Sequence, residues 1–87
     1  MKIKKELVKR NIAEDTVLVP VGKTVYESNG LFILNEVGSF IWDQLEEAEN
    51  EKMLLAAVLE AYDVTEDIAR KDIHVFLENL RGMGIIE

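Results

Sequence analysis

The chain's only histidine, His74, stands four residues from Arg70 and four from Glu78, so on a helix the three would share one face. A histidine in such company could serve catalysis or a metal. Metal sites, however, usually draw three or more converging ligands, and the chain has no cysteine to contribute a thiolate. A solvated helix face is the simpler reading. The acidic cluster Glu46, Glu47, Glu49 and Glu51 could attract a hard cation, yet it lacks the alternating oxygen ligands and the glycine of a calcium loop. It reads as a charged turn between helices. Gly22 and Gly30 fit no phosphate-cradling pattern such as G-x-x-x-x-G-K-[ST]. With no nucleophile, acid–base pair or cofactor box in view, the expectation is a non-enzymatic protein with no catalytic residue, no metal and no cofactor.

Length and composition then bound what such a protein can be. Eighty-seven residues, 48% of them hydrophobic, suffice for one compact core and are too few for two, so a single domain over residues 1–87 is expected. The absence of cysteine fits a reducing cytoplasm. "MKIKKELVKR" has the basic start of a signal peptide without the apolar stretch that must follow, and no run approaches membrane-spanning length. A cytoplasmic protein without a membrane partner is therefore expected.

Charge is unevenly distributed. Through Lys23 there are six basic and three acidic residues, a balance of +3, so with a total of −7 the remaining 64 residues carry −10. A helical half this acidic would repel a phosphate backbone, and nucleic acid is an unfavourable partner.

The elements that must position any functional residue come in two blocks, strands and then helices. "ELVKRNIA" (6–13) and "TVLVPV" (16–21) are β-prone runs around Glu14 and Asp15, the spacing of a hairpin, with Pro20 expected to kink or end the second strand. "KTVYES" reads either as a loop or as a strand folded back on "LFILN" through the turn dipeptide Asn29-Gly30. Either way, Leu31 to Leu34 form the last strand of a meander, which is an edge. Asn35 then serves as N-cap of a helix whose inward positions are Val37, Phe40, Ile41 and Leu45. A second helix starts from Asn50 and turns Leu54, Leu55, Val58, Leu59 and Tyr62 inward. A third, capped by Thr65, carries the stripe Ile68, Ala69, Ile73, Phe76, Leu77 and Leu80 and ends at Gly82 and Gly84.

Taken together, "LFILNEVGSFIWDQL", "LLAAVLEAYDV" and "DIHVFLENLRGMGIIE" resemble the PqqD family, named for the small protein of pyrroloquinoline quinone biosynthesis. The resemblance runs from Leu7 nearly to the end and rests most distinctively on Leu34-Asn35, Gly38, Tyr62 and Asp72. Three features depart from the pattern, one being "KTVYESNG", longer than the tight hairpin of the quinone-pathway members. Val37 stands where the family often has a small hydroxyl residue, and "EEAENE" replaces an Asp-Gly turn.

The resemblance implies an α+β fold of the winged helix-turn-helix type, an N-terminal three-stranded antiparallel sheet followed by three helices. It implies a peptide-recognition element for ribosomally made precursor peptides. Such an element holds the leader segment and presents the core to a tailoring enzyme, commonly a radical S-adenosylmethionine enzyme. The leader adds as an antiparallel fourth strand to the third strand and lies against the third helix, the binding mode called β-augmentation. "LFIL" suits that use. It is an edge strand without the charge, proline or bulge that normally protects one.

The candidate peptide-binding residues are therefore Leu31, Phe32, Ile33 and Leu34 for the ladder. On the third helix a groove-facing line at helical spacing would include Arg70, Ile73, His74, Leu77 and Arg81. Ile73 and Leu77 fit the core equally well, and Arg70 and Arg81 could meet acidic leader side chains. Two alternatives belong to other classes. One is a winged-helix DNA-binding regulator, but from Thr65 to Arg81 three basic residues face four acidic ones, a poor balance for reading a groove. The other is a homodimeric assembly subunit pairing through the edge strand; the expected state is a monomer or weak homodimer.

Overall fold

A computed structural model describes residues 1–23 and 32–87. Strand β1 (Leu7–Ile12) pairs antiparallel with β2 (Asp15–Pro20), with Leu7 opposite Pro20 and Ile12 opposite Asp15. Asp15 thus belongs to the second strand, and Ala13-Glu14 makes the two-residue turn. Ala13 takes a positive φ of 56°, the backbone twist that tight hairpin turns require and that glycine adopts more readily. Pro20 ends β2, where its missing N–H removes no interior ladder bond.

Strand β3 (Phe32–Leu34) lies antiparallel to β2 on its other side, with Leu34 opposite Thr16 and Phe32 opposite Leu18, giving the sheet order β1-β2-β3. Leu31 and the alternative readings of "KTVYES" fall outside the described residues. Helix α1 (Glu36–Gln44) follows with no loop. Asn35 makes this possible by keeping an extended backbone while its side chain accepts a 2.7 Å bond from the Gly38 N–H. Asn50 caps α2 (Glu51–Ala61) in the same manner, and Thr65 caps α3 (Glu66–Gly82).

The helices cover one face of the sheet. Ile41 of α1 and Leu45 at its C-cap, Leu54 and Val58 of α2, and Ala69, Ile73, Leu77 and Leu80 of α3 meet in a buried cluster. Ile86 joins it after Gly84 (φ 72°) reverses the chain, and pairs with Ile3 in a bridge between the two ends that the strand-and-helix pattern does not anticipate. Ile68 is a correction to the expected stripe, being 55% exposed. The steps from Ala69 to Ile73, Leu77 and Leu80 set the inward meridian, whereas Ile68 falls on the face of Val75, seven residues later and also exposed. The architecture is the three-stranded antiparallel sheet followed by three helices that the resemblance implied. Among the described residues no helix is long and apolar enough to cross a membrane.

Candidate functional site

Alternation along β3 separates its side chains. Phe32 is half-buried and Leu34 buried, both toward the helices, while Ile33 points the other way and is 65% exposed. On the edge away from β2, no described strand pairs with β3, and among the described residues no other backbone hydrogen bond reaches it. Among the described residues, the edge of β3 away from β2 thus has no backbone partner.

Helix α3 forms the opposite wall. Phe76 meets Phe32 edge-to-face, with ring centroids 6.0 Å apart and planes at 75°. Gly38 packs beside this pair. A Cβ there would lie 3.4 Å from the Phe76 ring and 3.0 Å from the Asn35 Oδ1 that caps α1. Between strand and helix runs a cleft of about 340 Å³, with Phe32, Leu34, Val37 and Ile41 supplying apolar surface and Lys71, Asp72, Val75, Phe76 and Asn79 supplying the α3 wall. Lys71 and Asp72 make no ion pair among the described residues.

The line expected on α3 lies elsewhere. Ile73 and Leu77 are essentially unexposed, so of their two readings the core is the one observed. Arg70 pairs with Glu66 at 3.3 Å, His74 Nδ1 lies 3.6 Å from Glu51, and Arg81 contacts Glu78 at 3.0 Å and Glu51 at 3.7 Å. Arg70 and Ile73 line a different cleft, between α2 and α3, of about 430 Å³ with Leu55 and Leu59. The set Arg70, Ile73, His74, Leu77 and Arg81 therefore does not line the cleft beside β3. The helical period identifies residues that share a face but not which neighbour that face meets. Lys71, Asp72, Val75 and Asn79 went unselected. Their signal was the pair Ile68 and Val75, apolar residues at a seven-residue interval lying off the core stripe.

No group of three or more His, Cys, Asp or Glu residues that could hold a metal ion occurs among the described residues. Glu51 opens α2 and contacts His74 and Arg81 of α3, while Glu46, Glu47 and Glu49 lie in the turn before it.

Of the distinctive features of the resemblance, the joint at Leu34-Asn35, Gly38 and Asp72 border this cleft, whereas Tyr62 packs edge-to-face on Phe40 away from it. The family model described as coenzyme PQQ synthesis protein D (PqqD) matches residues 15–86. The chain belongs to the PqqD family. None of the curated proteins matches this PqqD family member. Among solved structures, it is similar to one described as TbiB1 in complex with the TbiA(beta) leader peptide. That similarity has 30% identity and a TM-score of 0.74, covering 100% of this chain and 95% of that one.

Proposed function

We propose that this PqqD family member is a non-catalytic recognition element. It binds the leader segment of a ribosomally synthesised precursor peptide by β-augmentation and presents it to a tailoring enzyme such as a radical S-adenosylmethionine enzyme. The leader adds antiparallel to β3, exchanges backbone hydrogen bonds with residues 32–34, and sets its inward side chains against Phe76 and Val75 of α3. The observations that support this reading are the edge of β3, unpaired among the described residues, beside a half-apolar wall, and the similarity to a protein solved with a leader peptide. Backbone pairing supplies affinity without regard to sequence, and the cleft supplies selectivity. Because Asn35 both ends β3 and caps α1, the edge is held in place before the peptide arrives, and less ordering entropy is lost on binding.

The test is a titration followed by backbone amide shifts. The probes are synthetic peptides from the N-terminal part of any short precursor reading frame beside the gene, with the TbiA(beta) leader as a heterologous probe. Shifts should concentrate at residues 32–35 and at Lys71, Asp72, Val75, Phe76 and Asn79, leaving Glu51–Ala61 quiet. Shifts centred on Glu51–Ala61 would contradict this docking site.

A further inference from the structure

Helix α3 has three basic residues, and they are not equivalent. Arg70 and Arg81 are tied to glutamates on the α2 side, while Lys71 is on the β3 side with no ion pair among the described residues. Asp72 shares that freedom. It stands four residues before Phe76, one turn along the same face, and the two side by side line the cleft at the ring that meets Phe32. Lys71 is turned roughly 100° further around the helix, toward the outer lip. Adjacent residues of a helix do not face each other, so Lys71 does not neutralise Asp72. A peptide entering the cleft therefore meets an acceptor-only group next to an aromatic and aliphatic surface.

Resting on the peptide-docking reading, we infer that Asp72 is a specificity-determining residue that selects a lysine or arginine in the bound segment. The stem of such a side chain lies along Val75 and Phe76, and its charged head reaches the Asp72 carboxylate. A neutral polar residue gains less there, and an acidic one is repelled. The field of the whole molecule acts in the same direction. A chain of net charge −7, with −10 carried after Lys23, draws a basic segment toward it and raises its association rate. Lys71 opposes this modestly from the lip. The leader is thus a cationic segment with apolar neighbours.

The probe is a peptide obtained by unbiased display selection of random 20-residue sequences against the whole chain, then synthesised and mapped by amide shifts. Selected sequences that map to β3 should share a lysine or arginine beside an apolar residue. Asp72→Asn should weaken the peptide about tenfold, the scale of one charge-assisted hydrogen bond. Replacing the peptide's basic residue by glutamine should weaken it equally, and the two changes together should cost no more than either alone. Asp72→Lys should recover binding to the peptide carrying glutamate in that place, and Lys71→Gln should slightly tighten the original. Asp72 is exposed, so the variants should melt like the parent, which excludes misfolding as the cause. Peptides that map to β3 but bind Asp72→Asn as well as the parent would overturn the role of Asp72 alone. Peptides that map only outside the β3 cleft would overturn the docking reading and this inference together.

Discussion

The two flanks of α3 are built from the same kinds of residue and left in opposite states. Toward α2, the charges have partners in Glu51, Glu66 and Glu78, and the apolar residues Ile73 and Leu77 are sealed in the core. Toward β3, Lys71 and Asp72 have no ion pair among the described residues, Val75 is half exposed, and the strand edge has no described neighbour. The first flank is complete as it stands. The second is left open, and under the proposed docking the difference separates what holds the helix in place from what the helix offers to a peptide.

The largest effect should come from testing that separation directly. Leu77→Ala removes a buried side chain from the closed flank and should cost about 2–5 kcal/mol of stability in a denaturant melt. Val75→Ala, two residues away on the open flank, should change stability by only about 0.5 kcal/mol while weakening the peptide. If Val75→Ala proves as destabilising as Leu77→Ala, the flanks are not distinct.

A second test acts on the edge itself. Alternate residues of an antiparallel edge strand direct their N–H groups toward the neighbouring strand or outward, so Phe32 and Ile33 must point opposite ways. Proline removes the N–H in either place. One of Phe32→Pro and Ile33→Pro should therefore lose a ladder bond to β2 and much of its stability, while the other stays largely folded and binds peptide far more weakly. Circular dichroism with thermal melts separates the two outcomes. Side-chain loss is controlled by Phe32→Ala and Ile33→Ala, the latter expected to be mild because Ile33 is mostly exposed. If the better-folded proline variant binds as well as its alanine control, the edge is not the docking ladder.

These particular residues also show what a sequence can reveal of such a site. The block of strands, the three capped helices and the joint at Asn35 were legible because each depends on neighbours in the chain, through periodicity and capping residues. The hairpin turn was displaced by one residue to Ala13-Glu14, since strand register depends on pairing across the sheet. The line expected on α3 does not border the β3 cleft, because helical spacing is the same for every face. Arg70, His74 and Arg81 do share one side, but the neighbour on that side is α2, a fact set by packing between segments distant in the chain. Ile68 illustrates the point in reverse. Assigned to the core for its hydrophobicity, it instead shares the open flank's exposed face with Val75.

The smallest expected effect makes the sharpest control. Glu51 lies 3.6 Å from His74 and 3.7 Å from Arg81, and it is the first residue of α2, where a negative charge favours the helix N-terminus. Its side chain is 38% exposed, so solvent screens both contacts and each is worth little. Glu51→Gln should therefore cost no more than about 1 kcal/mol in a denaturant melt, less as salt is raised, since screening already weakens what the charge contributes. Peptide affinity should not change, because none of these contacts borders β3. A glutamine here preserves shape and removes only charge, so any effect on binding would report coupling through α3 between its flanks. A loss of affinity approaching that expected for Asp72→Asn would mean that the α2 side is not closed scaffold, and the line Arg70, His74 and Arg81 would regain its claim to the peptide.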